Sequence, residues 1–219
     1  MPGGMFGRIV VTILVLLFVY LAIGNLLHRA IFPQTVPDPA SYPRVGDLIV
    51  SRAEGFVQTV TGVDGEWMIS ELIIEPNALG PPLHYHEFFN EQFSVVEGTL
   101  HVRVNGEMKK VGPGESILIP AGVAHQPFNP TTERVVVASE DPSIPITFAA
   151  CLVQLYAKMD AEEPISGLGM ALQMSVIDPI CDTHLAEIPA PIEGLLKVAL
   201  APAARLMGYR NYYPEDALH

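Results

Sequence analysis

Cysteine is scarce in this chain. Of 219 residues only two are cysteines, Cys151 and Cys181. Two cysteines without metal-type spacing exclude a disulfide-rich scaffold. One bridge between them remains open if the domain lies outside the cytoplasm, but the interpretation we favour is two small buried side chains.

Basic side chains are also few, which excludes one class of partner. Lys and Arg number 12 against 24 Asp and Glu, so the formal net charge is −12. A protein that binds nucleic acid neutralises phosphates with a basic surface. We therefore expect no nucleic acid partner. The length allows one full domain with additional segments, but not comfortably two.

A long apolar run occupies the N-terminal region. Residues 9–27 read IVVTILVLLFVYLAIGNLL, and about 20 such residues suffice to cross a bilayer as a helix. A cleaved signal peptide is one alternative, because Ala22-Ile23-Gly24 loosely resembles a cleavage site, and a buried core helix is another. Because the run continues past that site, we favour an uncleaved transmembrane anchor within residues 1–31, which contacts the lipid bilayer through residues 9–29.

The charges that flank the run give little information on its orientation. Arg8 lies on one side and Arg29 and Arg44 on the other, so the positive-inside count is nearly balanced. A short N-terminal segment before an apolar run usually stays inside, as it does in signal sequences. We therefore predict a single-pass protein of the bacterial inner membrane, with the domain that follows on the periplasmic side.

A proline-rich segment and then a series of β-forming runs follow the anchor. Residues 32–43 contain four prolines, which favour an extended tether over a helix, and residues 32–54 are assigned to this tether and the start of the next domain. The β-forming runs alternate with turn signals such as Val63-Asp64-Gly65 and Asn105-Gly106. This pattern predicts an antiparallel β-barrel over residues 55–145.

Four side chains between Gly80 and Asn129 point to metal chemistry: His84, His86, Glu91 and His125. Histidines two apart on a strand project from the same face, and returning strands can bring the other two side chains to them. Imidazoles and one carboxylate form a ligand set for a first-row transition metal. We expect one divalent ion, with Mn, Fe, Ni, Cu and Zn all open.

The other histidines are expected not to bind metal. Strand alternation in the segment TLHVRV turns His101 away from the core. His28, His184 and His219 stand outside the pattern that the four candidate ligands form.

The stretch that carries the four candidate ligands resembles the cupin superfamily. Ten residues carry the resemblance to its two motifs: Gly80, His84, His86, Glu91 and Gly98 for the first, and Gly114, Pro120, Gly122, His125 and Asn129 for the second. The resemblance implies a small antiparallel jelly-roll barrel with the metal inside, bound by the three histidines and the glutamate. It does not imply a reaction, because this fold hosts many chemistries and some pure binding proteins.

Residues in phase with Glu91 are expected to line the site. Phe93 and Val95 are in phase, whereas Phe88 and Phe89 are assigned to the mouth or, preferably, to core packing. Strand phase places no further lysine, arginine or carboxylate in the interior. We therefore expect an apolar pocket, which suits a small aromatic or lipophilic ligand.

Helical periodicity replaces strand alternation after residue 145. We predict a C-terminal helical extension over residues 146–219, whose last helix is kinked by Pro202 and lies on a membrane surface or on the barrel. This tail resembles the extension of certain uncharacterised bacterial single-domain cupins in residues 208–210 and 212–214. The predicted chain is thus mainly β, with one N-terminal transmembrane helix and a helical C-terminal extension.

Three functions remain open at this point. The first is a membrane-anchored, metal-dependent enzyme, of oxygenase type, that acts on a small apolar molecule. The second is a module that only binds such a ligand at the same site. The third is a non-catalytic accessory or scaffold subunit of a membrane protein complex, or a homo-oligomer, in which the anchor and the tail make the contacts. The intact ligand set ranks a metal-site function first.

Overall fold

A computed structural model describes residues 3–35, 37–138, 144–161, 167–177 and 179–213. The chain divides into two units: Met1–Val36, Ser166–Ile177 and Ala190–Tyr212 form the first, and Pro37–Ile165, Asp178–Pro189 and Tyr213–His219 form the second. The predicted domain boundaries after residues 31, 54 and 145 stay predictions. The expectations for His219 and Pro214 lie outside the described residues.

The helices and strands follow the predicted order of one N-terminal helix, a series of strands and then further helices. The α-helices are α1 (Gly3–Val19), α2 (Asn25–Ile31), α3 (Ile146–Ala161), α4 (Gly167–Val176) and α5 (Ala190–Leu206), with a π-helical turn at Tyr20–Gly24 and 3₁₀ turns at Pro39–Ser41 and Pro179–Cys181. The strands are β1 (Leu48–Ser51), β2 (Phe56–Asp64), β3 (Trp67–Ile74), β4 (His84–Tyr85), β5 (Glu91–Glu97), β6 (Leu100–Val104), β7 (Glu107–Val111), β8 (Ser116–Ile119), β9 (His125–Phe128), β10 (Val135–Ala138), β11 (Ile144–Pro145) and β12 (His184–Leu185).

The first unit consists of helices. α1, the π-helical turn and α2 form one helix, of which Gly4–Ile31 (28 residues) is long and apolar enough to cross a membrane by length and composition. The predicted span at residues 9–29 lies inside it. α4 packs on α5 through a small apolar cluster of Leu172, Val176 and Ala204.

The described strands of the second unit form two antiparallel sheets. One has the order β1-β2-β3-β10-β5-β8, with β11 also paired to β3, and the other has the order β12-β4-β9-β6-β7. An apolar core joins them, with Phe56, Ile74, Phe93 and Val95 from the first sheet and Leu100 and Val102 from the second. The predicted antiparallel barrel is confirmed, and Phe93 and Val95 belong to its core.

Two hairpins show how local sequence sets the register. Asn105 and Gly106 have positive φ angles of 47° and 85°, as both loop residues of a type I′ turn require, and the flanking residues Val104 and Glu107 pair directly. In the first hairpin Asp64 pairs with Trp67. Its two-residue loop is therefore Gly65-Glu66, which begins within the predicted turn signal and ends one residue beyond it.

Two segments that the sequence assigned to the helical extension belong to the second unit. One is α3, and the other contains β12, which pairs with β4 through His184 opposite Tyr85. A disulfide between Cys151 and Cys181 links these two segments. The favoured sequence interpretation, two unpaired cysteines, is therefore wrong.

Candidate metal centre

Strand pairing brings the four predicted ligands together. His84 in β4 lies directly opposite His125 in β9, and His86 follows two residues after His84. Glu91 is the first residue of β5. One ligand atom from each of the four side chains lies within 4.8 Å of all the others, and no second group of this kind occurs among the described residues.

The closest contacts inside the cluster involve the carboxylate. Oε2 of Glu91 lies 2.7 Å from Nε2 of His125 and 3.9 Å from Nε2 of His86. The His84 and His125 rings are 4.4 Å apart between centroids, and the His84 and His86 rings 5.0 Å. The three imidazoles therefore surround one small volume that the carboxylate borders.

Main-chain carbonyls fix the orientation of all three rings. Nδ1 of His84 bonds the Pro82 carbonyl at 2.9 Å, and Nδ1 of His125 bonds the Val123 carbonyl at 2.9 Å. Nδ1 of His86 bonds the Asp182 carbonyl at 2.6 Å. Because a carbonyl can only accept, each Nδ1 must carry the proton. In His84 and His86 the lone pair of Nε2 is then directed toward the cluster, the arrangement of metal-binding histidines. Nε2 of His125 instead donates to Oε2 of Glu91.

The electrostatics of the cluster favour the protonation states that a metal needs. Burial lowers the pKa of His84 to about 4, and the neighbouring His125 lowers it further. Burial also lowers the pKa of His86. Both rings are therefore neutral at pH 7, as ligands must be.

Glu91 and His125 form the charged pair of the cluster. Burial by itself raises the pKa of Glu91, but the hydrogen bond from His125 and the charges of the histidines outweigh it and hold this pKa at about 2. Burial lowers the pKa of His125, yet the hydrogen bond and charge of Glu91 raise it above its ordinary value. Glu91 is thus ionised, and a metal that binds the cluster would have to displace the Nε2 proton of His125.

The residues present fit a divalent transition metal. Nε2 of His86 is buried and has no hydrogen-bond partner among the described residues, and leaving such an atom unpaired costs about 1–3 kcal/mol. An ion would satisfy it. Two atoms that bind one ion at about 2.1 Å can be at most about 4.2 Å apart, so the four ligand atoms, now within 4.8 Å of one another, would have to move slightly closer together to hold it.

Asn129 and Gly80 belong to the two motifs but not to the ligand set, and both contact the main chain near the cluster. The side-chain amide of Asn129 donates to the carbonyls of Glu75 and Glu133 at 3.0 and 2.7 Å, and its oxygen accepts from the Thr131 amide at 3.0 Å. Gly80 has a φ of 67°, and a Cβ there would collide with the carbonyl of Pro127. Both residues hold the ends of strands near the cluster rather than bind an ion.

Aromatic rings cover His86. The Phe89 ring stacks on it at 4.3 Å, and the Phe148 ring meets it edge-on at 4.9 Å. Phe89 is buried, so its assignment to core packing is confirmed, whereas Phe88 is 78% exposed. Phe148 lies in α3, where helical periodicity gave no reason to connect it with the cluster.

Asp182 is a functional residue that sequence reasoning missed. Its carboxylate accepts hydrogen bonds from the main-chain amides of Glu87 at 2.8 Å and Phe88 at 2.9 Å, and its carbonyl orients His86. Asp182 has a positive φ of 37°. No pattern in the sequence connects this residue with a ligand 96 positions earlier.

Glu54 is a buried carboxylate outside the ligand cluster. It is 5% exposed and shares a hydrogen bond with Tyr156, while burial raises the pKa of Glu54 to about 7. Strand phase could not find it because it lies in the turn between β1 and β2. The predicted apolar pocket stays a prediction.

His101 is buried, although strand alternation predicts that it faces away from the core. Its Nδ1 has no partner among the described residues. Its ring lies 5.8 Å from Phe128. His101, His28 and His184 lie outside the ligand cluster, and that they do not bind this metal stays a prediction.

Comparison with known proteins identifies the family of the barrel. Residues 70–139 match the family model for the cupin domain. Over 65 residues the chain is 37% identical to mannose-1-phosphate guanylyltransferase ManC of Salmonella typhimurium, covering 29% of this chain and 13% of that protein. Over 70 residues it is 30% identical to "Probable oxidoreductase virH" of Hypocrea virens, covering 29% of this chain and 32% of that protein. The chain thus spans less than a third of the length of either relative.

Solved structures resemble the barrel in the same way. KdgF from a Halomonas species is 20% identical, with a TM-score of 0.35, over 43% of this chain and 88% of that one. A sugar phosphate isomerase from Silicibacter pomeroyi, described as a cupin, is 26% identical, with a TM-score of 0.35, over 49% of this chain and 77% of that one.

Proposed function

The chain belongs to the cupin superfamily through the barrel at residues 70–139, and from that premise we propose that it is a membrane-anchored cupin that holds one divalent transition metal ion. The ligands are His84, His86, Glu91 and His125. The ion binds a small apolar molecule or promotes its conversion, by a reaction of oxygenase type if the protein is an enzyme. The observation that carries this proposal is the shared orientation of the three imidazoles, each with Nδ1 on a main-chain carbonyl.

Each ligand residue has a distinct part in this proposal. Glu91 supplies the negative charge, because its low pKa keeps it ionised, and His84 and His86 bind as neutral rings. A bound divalent ion would supply Lewis acidity and coordination positions beyond the four protein ligands. Phe89 and Phe148 keep water from the faces of the His86 ring and make that side of the site apolar.

The side chains beside the cluster favour one class of ligand. The names of the two relatives point to different chemistries, and the shared region is 13% of one and 32% of the other. The apolar rings beside His86 support a lipophilic ligand over a sugar phosphate, since they offer no donor for a phosphate oxygen.

The anchor and its orientation are part of the same proposal. A helix of 28 residues is about 42 Å long, more than the roughly 30 Å of bilayer hydrocarbon. The disulfide between Cys151 and Cys181 supports an oxidising compartment. We therefore place the anchor in the bacterial inner membrane and the barrel on its periplasmic side.

Elemental analysis of the full chain tests the metal site. The protein is purified in mild detergent without chelator or added metal, beside His86→Ala and, as a matched control, His101→Ala, which also removes a buried histidine. We expect about one metal per chain in the wild type and in His101→Ala, and strong loss in His86→Ala. A metal-free wild type would contradict the proposal.

A second candidate function is an accessory subunit of a membrane complex. It is favoured by the exposed apolar side chains of α5, among them Ile192, Leu195 and Leu196, since large apolar surface often marks an interface. The same purification distinguishes the two functions. A stoichiometric second protein that stays bound to His125→Ala but is released by Leu196→Glu would favour the subunit, above all if the barrel contains no metal.

A further inference from the structure

The helix α5 has an unusual distribution of side chains. Several of its large apolar residues are exposed, namely Ile192, Leu195, Leu196, Val198 and Leu206. Residues 192, 195, 196 and 206 project within about 100° of one another on a helix of 3.6 residues per turn. A helix at the surface of a water-soluble protein directs such a stripe toward the core.

The charged side chains of α5 are directed inward or paired. Arg205 is 6% exposed, and its guanidinium donates to Oδ1 of Asn211 at 3.0 Å. The ammonium of Lys197 lies 2.7 Å from the carboxylate of Glu193, which is also largely buried. The helix therefore presents apolar groups to its surroundings and satisfies its charges within the protein, the distribution expected where the surroundings are lipid.

Specific hydrogen bonds attach α5 to the apolar N-terminal helix. The hydroxyl of Tyr20 donates to the carbonyl of Ala199 at 2.8 Å, and the amide of Asn25 donates to the carbonyl of Val198 at 3.0 Å. The second bond has a clear cause. Pro202 has no N–H to donate to the carbonyl four residues earlier, that of Val198, and Asn25 replaces the missing donor.

These contacts determine where α5 lies along the anchor. Tyr20 and Asn25 both lie in the C-terminal half of the apolar run at residues 9–27. About 20 residues of helix span the hydrocarbon, so the bond at Asn25, two residues before the run ends, lies near the level where the anchor leaves it. The exposed stripe of α5 is therefore held close to the boundary between acyl chains and headgroups.

We propose that α5 is an interfacial helix whose apolar stripe inserts into the surface of the lipid bilayer beside the anchor. The proposal rests on the membrane anchor of the proposed function. The occupant of the stripe is lipid, because the stripe lies beside an apolar helix whose membrane-spanning window contains no buried residue. Such helices bury their apolar face about 5–10 Å into the membrane.

Fluorescence quenching by brominated lipids tests this placement in the full chain. The chain contains a single tryptophan, Trp67, so Trp67→Phe gives a background without tryptophan. Into it we introduce Leu195→Trp on α5, Phe18→Trp on the anchor and Leu118→Trp on β8. Leu195 and Leu118 are matched in exposure at 60% and 56%. Each variant is reconstituted into phosphatidylcholine vesicles with or without bromine on the acyl chains.

We expect Leu195→Trp and Phe18→Trp each to lose about half or more of their emission in brominated vesicles, and Leu118→Trp to be unchanged. Quenching of Phe18→Trp without quenching of Leu195→Trp would overturn the interfacial helix while the anchor stands. If the brominated lipids do not quench Leu195→Trp and aqueous iodide does not quench its emission either, protein covers the stripe. If Phe18→Trp is not quenched either, the anchor itself is wrong.

Discussion

The main-chain carbonyl of Asp182 accepts a 2.6 Å hydrogen bond from Nδ1 of His86, although 96 positions separate the two residues. The carboxylate of the same aspartate holds the amides of Glu87 and Phe88. A segment near the C-terminus therefore orients a ligand in the first half of the chain. The strand pairing of β12 with β4 keeps the two segments in register.

Loss of the Asp182 carboxylate should weaken metal binding. Asp182→Ala leaves the carbonyl in place but frees the amides of Glu87 and Phe88, so the backbone that carries His86 loosens. We expect metal affinity to fall about 10- to 100-fold, as for other residues that orient metal ligands. Chelator competition measures it, with Thr183→Ala as the neighbouring control. Unchanged affinity would show that strand pairing alone holds His86.

Reduction of the disulfide should act on the same ligand. Cys181 precedes Asp182 and is bonded to Cys151 in α3, the helix that also places Phe148 against His86. Opening a bridge between residues 30 positions apart is expected to cost about 3 kcal/mol of stability and to lower metal affinity. Melting and chelator competition are compared with and without reductant.

The double variant Cys151→Ser, Cys181→Ser provides the control for reduction. With and without reductant, its melting temperature and its metal affinity should equal those of the reduced wild type. If reductant weakens metal binding in the double variant as well, the reductant acts on the metal rather than on the bridge.

Acid should release the metal in two stages. Glu91 raises the pKa of His125 above its ordinary value of 6.5, so a proton competes for this ring as soon as the pH falls through that pKa. We expect apparent affinity to fall about tenfold per pH unit there. The pKa of His84 is about 4, so a second proton steepens the loss only near that pH. Metal affinity, measured by chelator competition from pH 8 to 4, should show the two slopes. A constant affinity between pH 7 and 5 would contradict the assignment of His125 as the first ligand to be protonated.

Glu54 should make the protein less stable as the pH rises. Burial raises its pKa from 4.5 to about 7, so between these values the folded chain holds a proton that the unfolded chain has released. The free energy of unfolding then falls across this window, by about 3 kcal/mol in total. Glu54→Gln should remove the decline in melting temperature from pH 4.5 to 7. Glu97→Gln, on the surface, should leave it, and a decline that persists in Glu54→Gln must arise elsewhere.

The clustering of the four candidate ligands could be predicted because its information is local. His84 lies in β4 and His86 follows two residues later, and turns at glycine and proline return His125 to the strand that pairs with β4. Glycine and asparagine turns likewise fix the hairpins. Long-range partners left no such trace. Asp182 and Phe148 reach the site only through tertiary packing, and the pairing of Cys151 with Cys181 depends on where α3 lies.

Besides long-range contacts, the sequence could not predict which polar and apolar side chains are buried. Glu54 is a carboxylate in a turn, a position that usually faces water, and only the neighbouring Tyr156 reveals that it is enclosed. The stripe of α5 has helical periodicity, which predicts an apolar face but not whether protein or lipid covers it. Periodicity identified the helix, and only the packing of α4 and the anchor shows which side is left open.

The pairing of β12 with β4 also bears on the order of events during biosynthesis. All four ligands are translated well before residue 182, so a nascent chain has every metal-binding side chain while His86 still lacks its acceptor. Tight binding must wait until the end of the chain has been made and has joined the sheet edge. If the barrel is exported, as we propose, that happens after translocation. We therefore expect the identity of the ion to be determined by the metals of the receiving compartment and not by those of the cytosol.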